Sequence, residues 1–121
     1  MITNSYRLLH KGDVVLVDFK KNEGSEQNGI SPADVVQNDK GNIFSPTTIV
    51  CPLTSREKNM DVTHVVLLPE DCGVLRPSIV LCEQIRAIDK SRIRKRVGRV
   101  VSPCKIDAIE KKIMLAFGIA L

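Results

Sequence analysis

Tryptophan is absent from this chain, and Tyr6, Phe19, Phe44 and Phe117 are its only aromatic residues. The core must therefore be aliphatic, and the chain lacks the rings from which base-stacking platforms of the RNA-recognition-motif or single-strand-binding type are made. Long apolar runs are missing too. The longest, Val14 to Val17 and Val65 to Leu68, fall far short of the roughly 20 residues that cross a bilayer. The opening Met-Ile-Thr-Asn-Ser-Tyr holds neither an apolar signal core nor a cleavage site, so a cytoplasmic protein with no membrane contact is expected. No two of Cys51, Cys72, Cys82 and Cys104 stand at the C-x-x-C spacing that presents paired thiolates to zinc. Cys51 and Cys82 lie inside apolar runs and read as small buried hydrophobes, so no metal site and no cofactor are expected. There is no G-x-G-x-x-G, no Walker loop and no H-E-x-x-H. The only two histidines, His10 and His64, have the residue type for acid–base cleavage of RNA. His10, however, sits in a polar arm, and His64 lies in a strand where a structural role is expected.

What is present describes one domain. The 121 residues are 43% hydrophobic and 26% charged, a globular balance, and a chain of this length buries roughly two thirds of its unfolded surface. The formal net charge is +4, yet six of the 18 basic residues fall within residues 90–99 (Lys90, Arg92, Arg94, Lys95, Arg96, Arg99), leaving 12 basic against 14 acidic elsewhere. Such a segment either meets a polyanion or an acidic peptide, or forms the solvated face of a short helix beginning near Asp89.

The order of segments predicts α+β. Asp13 to Phe19 is apolar at successive positions and reads as a strand buried on both faces. Residues 20–32, with Gly24, Gly29 and Pro32, read as a loop, and Ala33 to Gln37 as the second strand. Asn38 to Asn42 reads as a turn, and Thr47 to Leu53 as a third strand with a bulge or edge near Pro52. Val62 to Leu68, Ser78 to Leu81 and Gln84 to Ile88 are further short strands. Ser102 and Pro103 suit the start of a helix whose Ile106, Ile109, Ile113 and Phe117 would pack on the sheet.

Several short motifs occur in a specific order. Lys11-Gly-Asp13 precedes the first strand; Gly24-Ser-Glu-Gln27, Pro32, Gln37-Asn-Asp39, Gly41-Asn42, Ser45-Pro-Thr47 and Pro52-Leu-Thr54 follow. Thr63-His-Val65 and Glu83-Gln-Ile-Arg-Ala-Ile-Asp-Lys-Ser-Arg92 continue the series. Together they resemble the MazF/PemK family of toxin endoribonucleases, from residue 11 to about residue 121. Residues 1–10 would form an N-terminal arm, and 11–121 a single toxin domain.

The resemblance implies a small SH3-like, partly open antiparallel β-barrel with a C-terminal helix, assembled as a homodimer. It implies metal-independent, sequence-selective cleavage of single-stranded RNA by attack of the ribose 2′-hydroxyl. The implied partners are an acidic antitoxin protein and, only through the antitoxin complex, operator DNA. Of the two family catalytic residues, the threonine maps onto Thr54, whereas the position of the arginine is Ser31. Ser25, Glu26, Gln27, Asn38, Arg56, Gln84 and Arg86 are the implied RNA-binding residues, Arg56 and Arg86 being arginines that could replace the missing one. Two readings follow: an active toxin, or a cleavage-deficient relative that keeps fold, dimer and antitoxin binding. Gyrase poisoning of the CcdB kind needs an aromatic residue near a C-terminal Gly-Ile; Gly118-Ile119 is present, but no tryptophan.

Overall fold

The computed structural model of the chain describes residues 9–19, 29–55 and 60–119. Along them run β1 (Asp13–Asp18), β2 (Ile30–Val35), α1 (Asp39–Phe44), β3 (Thr47–Thr54), β4 (His64–Leu67), α2 (Pro69–Cys72), β5 (Ser78–Leu81), β6 (Arg86–Asp89), β7 (Ile93–Arg99) and α3 (Pro103–Ala116). Every strand pair is antiparallel, in the order β4-β5-β3-β2-β1-β7, with β6 paired to the first half of β3. The expected α+β class holds, with a sheet that remains open between its edges β4 and β7.

The continuous apolar run of β1 is explained by burial on both sides. Val14 joins a cluster with Cys51, Leu53, Val80, Cys82 and Ile109, against which Ile106 and Ile113 of α3 also pack. Val15, Val17 and Phe19 point the other way, into a second cluster with Ala33, Val35, Val50, Ile88 and Ile93. α3 starts as expected, with the Ser102 side chain accepting from Lys105 N and Pro103 in the first turn. Phe117 is a correction: it caps the helix and is 62% exposed, beyond the reach of the sheet.

Two proline positions shape the central ladder. The bond from Phe19 N to Gly29 O sets the alternation between β1 and β2, and it turns the Pro32 nitrogen away from β1 toward β3. Proline has no N–H to give there, and the β2–β3 ladder stops at Ala33. Residues Ile30 to Pro32 nevertheless pair with β1, which corrects their assignment to a loop. Pro52 lies where β3 exchanges its partner β6 for β5.

Other local expectations are revised by side-chain bonds. Asn38 to Asn42 opens a short helix rather than a simple turn, because Asn38 accepts from Gly41 N at 2.8 Å and caps it. The basic segment is one 3₁₀ turn, Lys90–Arg92, capped by Asp89, followed by strand β7. Strand pairing with β1 outweighs the helical propensity of its Arg and Lys residues. A second 3₁₀ turn, Cys82–Gln84, separates β5 from β6, and α2 arises where Asp71 accepts from Leu68 N at 2.8 Å.

Gly73 ends α2 at φ 81° and faces Gly98 of β7. A Cβ on Gly98 would lie 2.1 Å from the Cys72 carbonyl oxygen, so α2 and β7 approach only because that side chain is missing. Gly98→Ala is expected to cost at least about 2 kcal/mol, because backbone must move to admit the methyl group; a thermal melt measures it.

Asp34 is the costly residue of the core. It is 2% exposed beneath α3, and its Oδ1 has no hydrogen-bond partner. Burial, reinforced by Asp13 and opposed by Lys11, pushes its carboxyl up to about 8. A carboxyl raised this way favours folding below the unfolded value near 4 and loses that advantage as pH rises through 8. Stability is therefore expected to fall between pH 4 and 8, by a total of the order of 5 kcal/mol at 1.36 kcal/mol per pH unit. Asp34→Val should remove that slope and raise the melting temperature at pH 7, as denaturant melts at several pH values will show.

Candidate functional site

Ser31 and Thr54 come together through register. Ala33 pairs with Pro52 at the end of the ladder, and the same register continued two places along both strands sets Ser31 opposite Thr54. Ser31 also pairs with Val17 of β1, so its side chain shares the face of the Phe19 cluster. Thr54 is 8% exposed and has its own β5 partner, Ile79. The two positions that the resemblance marks as catalytic thus form one pair at one end of the sheet.

Arg86 belongs to the same face. It pairs with Val50, a member of the Phe19 cluster, and its guanidinium carbon lies 5.2 Å from the centroid of the Phe19 ring. That is the geometry of a cation held by a ring quadrupole. Arg86 is half-buried, and no carboxylate pairs with it among the described residues.

Gln84 stands half-buried at the end of the 3₁₀ turn that leads into Arg86. A clamp fixes that turn. Glu83 accepts from Thr63 Oγ1 at 2.9 Å and lies 3.2 Å from His64 Nε2, while His64 Nδ1 accepts from Asp61 N at 3.1 Å. The bond at Nδ1 makes Nε2 the protonated nitrogen, so His64 donates to Glu83. Burial alone would raise the Glu83 carboxyl, but bonds from its own backbone, Thr63 and His64 hold it below its ordinary value. His64 is buried within this clamp, while His10 lies 3.8 Å from Asp39.

Asn38 is exposed, with its side-chain oxygen engaged in capping α1. Behind it, Asn42 bonds Gln37 and Thr48 and receives the buried Lys90 ammonium on its carbonyl, which locks α1 against β3. Ser25, Glu26, Gln27 and Arg56 lie outside the described residues.

On the opposite face a groove of about 630 Å³ passes Leu16, Pro32, Ser55, Arg76, Lys95 and Arg96. Leu16, Pro32 and Lys95 form one row across β7, β1 and β2. Sequence reasoning missed Arg76 and did not separate Lys95 and Arg96 from their neighbours. Once the segment is read as a strand, its register with β1 sets Lys95 beside Leu16 on one face and Arg96 opposite Val15 on the other, with Arg96 reaching the groove rim. Of the other basic residues of 90–99, Arg94 and Arg99 are exposed but paired, with Asp18 at 2.7 Å and Asp13 at 2.7 Å, and Lys90 is buried. Cys51 and Cys82 are buried as expected, and a contact with Cys82 together with burial pushes the Cys51 thiol up, leaving it inert. Among the described residues no group of three or more metal-ligating side chains occurs, and no helix is long and apolar enough to cross a membrane.

Comparison with known proteins agrees with this fold. Residues 10–117 match the family described as the PemK-like, MazF-like toxin of type II toxin–antitoxin systems. The Endoribonuclease MazF of Staphylococcus saprophyticus is 35% identical over 113 residues, covering 93% of each chain. MazF from Deinococcus radiodurans superposes with a TM-score of 0.78 at 27% identity, over 92% of this chain and 97% of that one. A mycobacterial endoribonuclease, solved in complex with its cognate antitoxin, shares the fold with a TM-score of 0.77 at 20% identity, over 93% of this chain and 98% of that one. With nearly its whole length matched, the chain belongs to the PemK-like, MazF-like toxins of type II toxin–antitoxin systems.

Proposed function

We propose that the chain is a toxin endoribonuclease that cleaves single-stranded RNA at short sequences in the cytoplasm, restrained by an acidic antitoxin. The observation that carries this reading is the pair Ser31–Thr54, set opposite one another at the end of a broken ladder within a chain of this family. In the reaction the 2′-oxygen bonds to phosphorus as the bond from phosphorus to the 5′-oxygen breaks. The hydroxyl proton ends on the departing 5′-oxygen, leaving a cyclic phosphate. No metal is assigned a role. Thr54 Oγ–H donates to a phosphoryl oxygen as negative charge gathers there. Gln84 and Asn38 offer amide groups to base edges, the usual way in which unstacked RNA is read, and Ser25, Glu26, Gln27 and Arg56 are assigned the same task.

Partners follow from surface chemistry. Leu115, Phe117 and Ile119 leave apolar surface exposed at the end of α3, and Ile43 and Phe44 do so at α1, which favours a two-fold homodimer. Arg76, Lys95 and Arg96 around the groove suit an acidic, partly disordered antitoxin segment that folds as it binds. DNA is reached only through that complex.

The test is cleavage of a fluorescent RNA in the presence of EDTA. The chain as it stands is expected to cleave slowly, and Ser31→Arg to accelerate cleavage about 10²–10³-fold by adding a charged donor. Thr54→Ala should lower the rate of either form about 10²-fold. Inactivity of both the chain and Ser31→Arg overturns the reading.

A further inference from the structure

A phosphate that gains charge during attack needs a fixed cation or forked donor, and Ser31 offers neither. Among the arginines of the described residues, Arg94, Arg96 and Arg99 are engaged with Asp18 or Asp13. Arg76 belongs to the groove on the other face. Arg92 lies in the 3₁₀ turn before β7, and register places Arg86 and Arg96 on the face that carries Ser31 and Thr54; Arg96 sits beside Asp13, whereas the Arg86 guanidinium reaches across to Phe19.

The position of that ring matters. Phe19 N bonds Gly29 O, and Val17 pairs with Ser31, so Phe19 and Ser31 are diagonal neighbours on adjacent strands. Such neighbours have Cβ atoms about 7–8 Å apart, within reach of a long side chain. A guanidinium resting on Phe19 therefore stands beside the Ser31–Thr54 pair. Among the described residues a ring, not a carboxylate, holds it, which leaves its charge to act on a phosphate.

We propose that Arg86 is the phosphate-facing cation of this chain, taking over from a β6 position the task for which residue 31 is unsuited. The inference rests on the endoribonuclease reading and names the residue that makes it chemically workable. Arg86 binds a non-bridging phosphate oxygen through its planar donors and stabilises the charge that Thr54, a neutral donor, meets only in part. Phe19 is the positioning residue: it sets where the guanidinium waits.

The experiment compares the full-length chain with Arg86→Ala, Arg86→Lys, Ser31→Arg and the double variant Ser31→Arg/Arg86→Ala. Each is measured for single-turnover cleavage in EDTA and for RNA affinity by anisotropy. Arg86→Ala is expected to lose at least about 10²-fold in cleavage rate while affinity changes less than about threefold, because many phosphate contacts share the binding. Arg86→Lys should fall between, keeping a charge but losing the fork. The double variant should recover cleavage, since a guanidinium from residue 31 replaces the one removed. That recovery also demonstrates folding, and a purely structural role for Arg86 would not produce it. Cleavage by the parent chain with Arg86→Ala equally active overturns the proposal and leaves the endoribonuclease reading standing. An inactive parent chain beside an active Ser31→Arg also overturns it, and identifies a cleavage-deficient toxin. Inactivity of both removes the endoribonuclease reading and this proposal with it.

Discussion

Burial of the central strands on both faces is the constraint from which the rest follows. β1, β2 and β3 have α3 and its cluster on one side and the Phe19 cluster on the other, so a polar group near the middle of the sheet, as at Asp34, is costly. Polar groups are admitted cheaply only where that double covering ends. Pro32 makes such an end: with no N–H to offer β3 it stops the ladder, and the strands beyond it present Ser31 and Thr54 with no further backbone bonds between β2 and β3. The same interruption serves the other face, where Pro32 becomes part of the groove floor beside Leu16. One missing hydrogen thereby opens two distinct polar surfaces at one end of the sheet.

Charge is arranged by the same logic. Asp13, wholly buried at the start of β1, is compensated by Arg99 and more distantly by Arg96, and Asp18 by Arg94. These pairs neutralise much of the basic segment internally and fasten β7 to β1. Asp34 has no such compensation, because its neighbours across the strands are Val14 and Cys51 and because Lys11 is engaged with Glu110. Cations with no acid partner among the described residues are then informative by position: Arg86 toward the Ser31–Thr54 pair, Arg76 and Lys95 toward the groove.

Much of this was legible in the sequence. The two-sided burial of Asp13 to Phe19, the cap and proline at Ser102 and Pro103, the buried cysteines and the structural role of His64 all follow from residue type and spacing, and the structure shows them. The short motifs identified the family before any coordinates. What could not be read was set by partners distant in the chain. Lys90 to Arg99 has the composition of a helix and becomes a strand because β1 requires a second neighbour. Residues 30–32 looked like loop because a proline is a poor strand residue unless its nitrogen faces a place where no bond is needed. The pairing of Ser31 with Thr54 is a matter of register across 22 intervening positions in sequence, and the apposition of Arg86 with Phe19 joins β6 to the end of β1. No local pattern reports either.

The distance along the chain between β1 and β7 has a consequence for synthesis. Asp13 pairs with Arg99, so one of the two neighbours of β1 is made long after β1 itself. The strand that holds Arg86 likewise follows every strand it joins. Closing such long loops costs entropy before any contact repays it, and sheets joined in this way fold slowly compared with helical proteins. A nascent chain therefore emerges with Thr54 and the position of Ser31 already made but without the face that holds them together. A nuclease built on this plan acquires the face that carries Ser31 and Thr54 only after β6 and β7 have been made, long after the strands that bear those two residues.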